Sequence, residues 1–236
     1  MPFSNTKPIN KYYKGHRKRA KERLIKFGIE TLRDYEIVEL MLFLIFKRKD
    51  VKPLAKRLLN RFGTIDRILN ATYQELTKIE GIGMSAFNAI KIINGIVIAA
   101  VKSRVIKKKH INCFEDVIAY CKLNMKYLVA EELRVLFLNA VSEIIADEVI
   151  QKGDLNTVSI YPRMIARRCI EIGANGVILV HNHPSGDPTP SSDDLYMTDK
   201  IYKALKTLDI SLQDHIIIGD DRFISFKTLG ILCGIG

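Results

Sequence analysis

Residues 181–194 of the chain, HNHPSGDPTPSSDD, hold two of its five histidines one residue apart. They follow the apolar segment GVILV, whose composition is typical of a buried strand. Side chains alternate along a strand, so His181 and His183 point to one side and Asn182 points to the other. Both imidazoles can therefore reach one metal ion.

Ser191 and Asp194 lie where the next helical pattern begins. Positions three apart on a helix share a face, so the Ser191 hydroxyl and the Asp194 carboxylate can both point toward the two histidines. Asp193 could equally supply the carboxylate. Two imidazoles, one carboxylate and an open fourth position form a hydrolytic zinc site, in which the metal acidifies a bound water. Each residue alone has a simpler role, such as a core histidine or a serine N-cap, but the joint pattern favours a zinc site.

The second half of the chain alternates short segments rich in Val, Ile and Phe with segments of helical periodicity. The expected strands are ELRVLFLNA, EIIADEVIQ, NTVSIY, GVILVHN, HIIIGD and RFISF, and the expected helices are PRMIARRCIEIGA and DDLYMTDKIYKALKTL. This order predicts a mixed α/β domain that presents the two histidines at the end of one strand.

The first half shows apolar residues at three- and four-residue spacing, which predicts a small all-α domain. The expected helices include HRKRAKERLIKFG, DYEIVELMLFLIF, VKPLAKRLLNRFG and TYQELTKI. Asp34 and Thr72 are the expected N-caps, and Gly28 and Gly63 are the expected helix ends.

Charge divides the chain at about the same place. Residues 1–110 carry 25 Lys and Arg against 9 Asp and Glu, a net +16, and residues 111–236 carry 12 against 17, a net −5, which sum to the +11 of the whole chain. Such an asymmetry predicts two modules with different partners. We place the helical domain at 1–105 and the α/β domain at 112–236, with the basic stretch VKSRVIKKKHIN as helix end and linker.

The segment IEGIGMSAFNAIKII places Gly81 and Gly83 on either side of Ile82, between two helical patterns. It resembles the hairpin of a helix-hairpin-helix DNA-binding motif, in which glycines allow a tight turn and backbone amides face a phosphate. The basic surroundings favour DNA contact that is nonspecific and sensitive to salt. A plain glycine turn and a hairpin that docks another protein are the alternatives.

No uninterrupted apolar run reaches the roughly 18–20 residues of a membrane-spanning helix, and the first residues lack the apolar core of a signal peptide. We therefore expect a cytoplasmic protein with no membrane partner. The four cysteines are scattered and form no CxxC pair, which predicts buried thiols and neither disulfides nor a cysteine zinc site.

The pattern HxHPSG, followed by PS and an aspartate, resembles the JAMM metalloprotease signature, His-x-His, seven residues, then Ser-x-x-Asp. His181, His183, Ser191 and Asp194 match this signature position by position. With YPR, GVILVHNHPSG, DHIIIG and the basic helical first half, the chain resembles the RadC family over nearly its whole length. One position departs from the family, because Met164 stands where many members have a glutamate.

The resemblance implies a JAB/MPN domain, a layered sheet with helices like that of cytidine deaminases. It implies that His181, His183 and Asp194 bind zinc, with water as the fourth ligand. It also implies that Ser191 hydrogen-bonds this water or the oxyanion that forms on the substrate, and that an upstream glutamate is the general base.

Three glutamates are candidates for this base. Glu131 and Glu132 open the segment EELRVLFLNA, where the family glutamate usually lies, and alternation allows only one of them to face the metal. We favour Glu131, with Glu148 as the third candidate. His215, in QDHIIIGD, is interpreted as a hydrogen-bonded structural histidine outside the metal ligands.

These observations predict a zinc-dependent peptidase or isopeptidase-like hydrolase, with DNA as a partner of the basic half. A nuclease of the HNH type is disfavoured because its histidines are dispersed, and a zinc deaminase because no glutamate lies two residues after a histidine and no PCxxC follows. The main alternative is a DNA-binding repair or recombination accessory without enzyme activity, whose metal site is structural or relict.

Overall fold

The computed structural model describes residues 15–47, 49–107, 114–153 and 161–234. It divides the chain into two compact units between Gly95 and Ile96. This division lies inside one long helix, Met84–Lys107, on the N-terminal side of the boundary expected from the sequence. The segment 108–113, which ends the predicted linker, and most of the predicted strand NTVSIY lie outside the described residues.

The N-terminal unit is helical, as predicted. Its helices are α1 (His16–Phe27), α2 (Asp34–Ile45), α3 (Lys52–Phe62), α4 (Ile65–Asn70), α5 (Tyr73–Leu76) and the first part of α6 (Met84–Lys107), with a 3-10 turn at Ile29–Thr31. The apolar positions of the sequence pattern converge on one core, which includes Leu42, Leu54, Leu58, Ile68 and Ile90. The helical periodicity of the sequence thus arises from the burial of one face of each helix.

Three of the four predicted helix ends are confirmed. Gly28 and Gly63 follow α1 and α3 with positive φ angles, and Thr72 caps α5 by accepting a hydrogen bond from the Glu75 amide. The prediction for Asp34 is wrong, because Asp34 is the first residue of α2 and Arg33 is its N-cap. The Glu36 carboxylate accepts the hydrogen bond of the Arg33 amide (3.0 Å), so this helix end is satisfied without an aspartate cap.

The turn between α5 and α6 contains Gly81 and Gly83, the two glycines of the predicted hairpin. Gly81 has φ +95°, a conformation that favours glycine. Ile79 and Ile82 are buried in the helical core on either side of Gly81, and Gly83 directly precedes α6. The hairpin is therefore anchored by its two isoleucines while its glycines shape the backbone.

The C-terminal unit contains a five-stranded sheet in the order β2-β1-β3-β4-β5. The strands are β1 (Glu132–Leu138), β2 (Ile144–Lys152), β3 (Gly176–Asn182), β4 (Ser211–Ile218) and β5 (Phe223–Ser225). β1 runs antiparallel to both β2 and β3, whereas β3 and β4 are parallel. Five of the six strands predicted from the sequence are present, which confirms the mixed α/β class of this unit.

Helices cover both faces of this sheet. They are α7 (Phe114–Met125), α8 (Tyr161–Ile172) and α9 (Ser192–Lys206), with a final 3-10 turn at Ile231–Gly234. One apolar core joins α8 and α9 to the face that carries Leu133 and Leu179, and the other joins α7 and the end of α6 to the face that carries Leu136 and Val180. Because β3 is covered on both faces, all its residues are buried.

Helix α6 also bears on the prediction of no membrane partner. Among the described residues, the stretch Met84–Val105 is the one helical segment whose length and apolar composition would suffice to cross a membrane. A long helix of a soluble protein can meet the same criteria, so this feature alone does not assign α6 to a membrane. The expected cytoplasmic location stays a prediction.

Candidate metal centre

The predicted ligands are delivered by β3, the loop that follows it and the start of α9. In the β1–β3 register, His181 lies opposite Leu133, and alternation places its ring on the face covered by α8 and α9. His183 follows the strand directly, and its amide donates a hydrogen bond to the Ile218 carbonyl (2.9 Å). Backbone hydrogen bonds to the neighbouring strands thus fix the positions of both histidines.

His181, His183 and Asp194 bring their ligand atoms within 4.8 Å of one another. His181 Nε2 lies 3.0 Å from Asp194 Oδ1, and His183 Nε2 lies 3.3 Å from Asp194 Oδ2. The two Nε2 atoms are 2.9 Å apart. Ligands of a tetrahedral zinc ion, at about 2.0–2.1 Å from the metal, are roughly 3.3 Å apart. The donor set and its spacing therefore fit a small divalent metal ion such as zinc.

The carboxylate of the cluster comes from Asp194, whereas Asp193 is exposed to solvent. Ser191 is the N-cap of α9, and its hydroxyl donates a hydrogen bond to Asp194 Oδ2 (2.7 Å) and accepts one from the Asp194 amide (3.1 Å). The helix start therefore orients Asp194 toward the histidines. The predicted contact of Ser191 with water or an oxyanion stays a prediction, since its single hydroxyl hydrogen is used by Asp194 in this structure.

The electrostatics of the cluster favour a cation. Burial alone would raise the pKa of Asp194, but the adjacent side chains of His181 and His183 hold it far below its usual value. Hydrogen bonding to Asp194 raises the pKa of His183, against the opposing effect of burial. Surroundings that stabilise an ionised carboxylate and positive charge on a neighbouring imidazole also stabilise a bound metal cation.

The loop between the histidines and α9 is clamped to the turn that joins β4 and β5. His183 Nδ1 donates a hydrogen bond to the Asp187 carbonyl oxygen (2.8 Å), because a carbonyl can only accept. The Asp220 amide donates to the Gly186 carbonyl oxygen (3.1 Å). A Cβ atom on Gly219 would lie 2.8 Å from Pro188 Cδ, so this approach requires glycine. The clamp thus fixes the orientation of the His183 ring.

The structure separates the three candidate glutamates. Continuing the register Leu133↔His181 by two residues brings Glu131 opposite His183, and the Glu131 charge contributes to the raised pKa of His183. Glu132 lies on the other face of the sheet and pairs with Arg134 (3.0 Å) and Lys152 (3.3 Å). Glu131 is therefore the member of the neighbouring pair on the side of the metal cluster.

Glu148 is engaged elsewhere. Its two carboxylate oxygens accept hydrogen bonds from Arg168, with Nε at 2.9 and 3.0 Å and Nη2 at 2.6 Å. The guanidinium fork of Arg168 thus occupies both oxygens of this carboxylate. The sequence could not distinguish Glu148 from Glu131, since its partner lies 20 residues away on α8.

Two buried residues next to the cluster were not assigned to it from the sequence. His215 Nε2 lies 2.8 Å from His181 Nδ1, and His215 Nδ1 lies 2.6 Å from Thr198 Oγ1. Burial lowers the pKa of His215 well below its usual value. The interpretation of His215 as a hydrogen-bonded histidine outside the ligand set agrees with this geometry, but its partner is a predicted ligand. Thr198 lies one helical turn after Asp194. This i, i+4 spacing was the one feature of the sequence that could have indicated that Thr198 lies near the cluster.

Asn182, the central residue of HNH, faces away from the cluster, as alternation predicts. Its side chain is buried and bridges the segment that carries Glu131: Oδ1 accepts from the Glu132 amide (2.9 Å) and Nδ2 donates to the Ala130 carbonyl (3.2 Å). The tripeptide therefore supplies two predicted ligands and one group that holds the neighbouring strand.

The glycine hairpin of the N-terminal unit is bordered by cations. Lys49 Nζ would lie 3.1 Å from a Cβ atom on Gly81, and Arg57 donates a hydrogen bond to the Glu80 carbonyl (3.1 Å). Lys78 is exposed in the same turn, and a Cβ on Gly83 would meet no atom within 4 Å. The backbone at Gly83 is thus open to a close approach.

Comparison with known proteins shows similarity along most of the chain. Residues 111–231 match the family described as RadC-like JAB domain, and residues 14–87 match the family described as UPF0758 N-terminal. A UPF0758 protein of Ruegeria pomeroyi is 40% identical over 221 residues, covering 94% of this chain and 99% of the relative. A UPF0758 protein of Rhodobacter capsulatus is 41% identical over 212 residues, covering 90% of this chain and 99% of the relative.

Proposed function

Because the chain belongs to the RadC-like JAB family, with the UPF0758 N-terminal domain before it, we propose that its C-terminal unit is a zinc-dependent hydrolase of peptide or isopeptide bonds. The observation that carries the proposal is the convergence of His181, His183 and Asp194 at the end of β3 and the start of α9. Two imidazoles and one carboxylate form the protein ligand set of many hydrolytic zinc sites.

In the proposed site, some residues would bind the metal ion and others would orient the ligands. The chemistry that zinc supplies in such a site is acidification of water and polarisation of a carbonyl group. His181, His183 and Asp194 would hold the ion, and Ser191 would keep the Asp194 carboxylate in place through its hydroxyl. The pairing of β1, β3 and β4 behind the histidines would keep these groups rigid, which lowers the cost of reorganisation during reaction.

Glu131 is the proposed general base. It would accept a proton from the attacking water and return it to the nitrogen of the leaving amine, so that no net charge accumulates on the carboxylate. Its position opposite His183 and its electrostatic effect on that histidine support this role. Glu132 and Glu148, in contrast, form ion pairs with Arg134 and Arg168.

Metal analysis combined with peptide cleavage tests the proposal. Purified full-length protein should retain about one zinc ion per chain, and incubation with a proteome-derived peptide library should create new peptide termini detectable by mass spectrometry. Treatment with a chelator should abolish the cleavage, and zinc should restore it. Zinc binding without any new termini would favour the non-enzymatic alternative, in which the metal site is structural or relict. Protein without zinc affinity would reject both the metal site and the hydrolase.

A second function is supported by the N-terminal unit. We propose that the hairpin at Gly81 and Gly83 contacts the phosphates of DNA without reading its sequence. Its support is the net charge of +16 in residues 1–110 and the position of Lys49, Arg57 and Lys78 around the turn. Phosphate contacts of this kind give affinity that depends strongly on salt.

A further inference from the structure

His215 and Thr198 form a buried chain of hydrogen bonds that begins and ends at proposed metal ligands. Neither residue is exposed to solvent. The chain runs from His181 Nδ1 to His215 Nε2 (2.8 Å), from His215 Nδ1 to Thr198 Oγ1 (2.6 Å), and from Thr198 Oγ1 to the backbone carbonyl oxygen of Asp194 (2.6 Å). It therefore connects the ring of one ligand to the backbone of another.

The direction of each hydrogen bond follows from the chemistry of the groups. A carbonyl oxygen can only accept, so the single hydroxyl hydrogen of Thr198 points to Asp194. Thr198 Oγ1 must then accept the hydrogen on His215 Nδ1. An imidazole that is neutral and carries its hydrogen on Nδ1 has a lone pair on Nε2, which accepts the hydrogen on His181 Nδ1.

The environment of His215 keeps this imidazole neutral. Its ring is wholly buried and packs against Phe226, with 4.6 Å between ring centroids. The neighbouring Asp214 carboxylate is already occupied, because it accepts hydrogen bonds from the His215 amide, the Ser225 hydroxyl and the Lys227 amide. A buried imidazolium without a carboxylate partner would be costly.

From this chain we infer that His215 and Thr198 are positioning residues that hold His181 in the tautomer with hydrogen on Nδ1. The lone pair of His181 then lies on Nε2, the atom 3.0 Å from Asp194 Oδ1 and 2.9 Å from His183 Nε2. The inference rests on the proposed function, in which Nε2 of His181 binds the metal ion. A fixed tautomer matters because it keeps hydrogen off this ligand atom. Residues that orient metal-binding histidines in this way are typically worth about 10–100-fold in metal affinity.

The two histidine ligands are supported differently. His183 Nδ1 donates to the Asp187 backbone carbonyl, an acceptor that a substitution of Asp187 itself would not delete. His181 depends on side chains alone, through His215 and Thr198. Variants of these two residues should therefore act on His181 while leaving the ring orientation of His183 unchanged.

Thr198→Val and Thr198→Ser form the central pair of variants in the test. Valine keeps the branched shape but removes the hydroxyl, so His215 loses the acceptor for its Nδ1 hydrogen, whereas serine keeps the hydroxyl. His215→Phe, compared with His215→Gln, tests the next link, because glutamine retains an acceptor for His181 and phenylalanine does not. Zinc affinity of the full chain is measured by competition with a chromophoric chelator, and folding is checked by thermal unfolding.

The expected result is a loss of about 10–100-fold in zinc affinity for Thr198→Val and His215→Phe, with affinity near wild type in Thr198→Ser and partial recovery in His215→Gln. A second readout needs no metal. Long-range proton–nitrogen NMR spectra of the metal-free protein should show His181 protonated on Nδ1 in wild type and a mixture of tautomers in Thr198→Val. A purely structural role would lower thermal stability without changing this tautomer.

The outcomes separate the inference from the proposed function. Wild-type protein that binds zinc, with Thr198→Val binding equally tightly and keeping the same tautomer, would overturn the inference while the metal site stands. Wild-type protein that binds no zinc would reject the proposed function, and the NMR spectra would still decide whether His215 and Thr198 control the tautomer of His181. A His181 that carries no hydrogen on Nδ1 in wild type would overturn the inference in either case.

Discussion

At the scale of single residues, ligand and base have separable roles. His183 and Asp194 belong to the proposed ligand set, whereas Glu131 lies beside it and contributes no atom to the cluster. A ligand should be needed for both metal binding and turnover. A general base stabilises the transition state of proton transfer and should be needed for turnover alone.

We therefore predict that Glu131→Gln keeps its zinc content but loses about 10²–10⁴-fold in the rate of peptide cleavage. His183→Ala should lose zinc and cleavage together. Both quantities can be measured on the same protein preparation, by metal analysis and by the appearance of new peptide termini. Glu148→Gln is the control, because its carboxylate pairs with Arg168. Full activity in Glu131→Gln, with activity lost in Glu132→Gln, would transfer the role of base to Glu132.

Asn182 acts at the same scale through the backbone. Its side chain holds the Ala130 carbonyl and the Glu132 amide on either side of Glu131. We predict that Asn182→Ala lowers the free energy of unfolding by about 1–3 kcal/mol, because the buried Glu132 amide loses its acceptor and the Ala130 carbonyl loses a donor. Hydrogen exchange should be faster at the Glu132 amide, and zinc affinity should change little. Unchanged exchange at Glu132 would contradict this assignment.

At the scale of elements, the metal loop depends on its contact with the turn after β4. Gly219→Ala would push a methyl group into Pro188 and the Gly186 carbonyl oxygen. The loop must then move, and the Asp187 carbonyl must move away from the His183 ring. We expect zinc affinity to fall by about tenfold or more, as when groups that orient ligands are removed.

Gly95→Ala is the matched control for this experiment. Gly95 lies inside α6, and a Cβ atom there would meet no atom within 4 Å. We expect this variant to gain about 0.5–1 kcal/mol in unfolding free energy, because alanine is the better helix former, and to bind zinc like wild type. Equal zinc affinity in Gly219→Ala would show that the loop tolerates the methyl group and that the clamp does not position His183.

A second contact between elements lies on the opposite face of the sheet. The buried Asp147 carboxylate on β2 accepts two hydrogen bonds from Arg134 on β1 (2.7 and 2.9 Å) and one from the Tyr120 hydroxyl on α7. Lys102 on α6 also pairs with Asp147 (3.2 Å). One aspartate thus joins four elements, and its removal would leave the charge of Arg134 poorly compensated.

We predict that Asp147→Asn lowers the free energy of unfolding by about 3 kcal/mol at neutral pH, the usual cost of breaking a buried ion pair. Burial alone would raise the pKa of Asp147, but Tyr120 and Arg134 lower it below its ordinary value. A lowered pKa gives stability that is present above the unfolded-state value and is lost as pH falls through the folded-state value.

The difference between wild type and Asp147→Asn should therefore be constant near neutral pH and shrink below about pH 4. Urea unfolding at several pH values measures it. Glu148→Gln is the neighbouring control, because its ion pair with Arg168 is partly exposed and should contribute less than about 1 kcal/mol. A difference that grows toward acidic pH would contradict the pKa direction for Asp147.

At the scale of the whole molecule, residues 1–110 carry a net charge of +16 and residues 111–236 a net −5, and the two parts of the chain are matched by different families. We predict that the full chain binds duplex DNA with little sequence preference and that its affinity falls steeply between about 50 and 200 mM salt. Fluorescence anisotropy with a labelled duplex measures both properties. Binding absent even at low salt would leave protein docking as the better explanation of the hairpin.

Charge-matched variants locate this binding. The double variant Lys49→Ala, Lys78→Ala removes two cations beside the hairpin and should reduce the salt slope by about 1–2, since each phosphate contact contributes roughly 0.9. Lys200→Ala, Lys206→Ala removes the same charge from α9 in the C-terminal unit and should leave the slope unchanged. Equal losses in both pairs would indicate attraction by net charge without a defined site.

The sequence alone was sufficient for features that depend on neighbours along the chain. Helical periodicity identified the helices of the first half, and alternation placed His181 and His183 on one side of β3. The i, i+3 spacing placed Ser191 and Asp194 at the start of α9. These inferences succeeded because the direction of a side chain relative to its own backbone is a local property.

Features that depend on which segments pack together were decided by the tertiary structure. Which of Glu131 and Glu132 lies on the side of the cluster depends on the register of β1 against His181, because a shift of one residue exchanges the two faces. The pairing of Glu148 with Arg168 and the contact of His215 with His181 join residues 20 and 34 positions apart. Alternation along each strand constrained these side chains, but the pairing of β3 with β1 and β4 and the packing of β2 against α8 determined which of them meet.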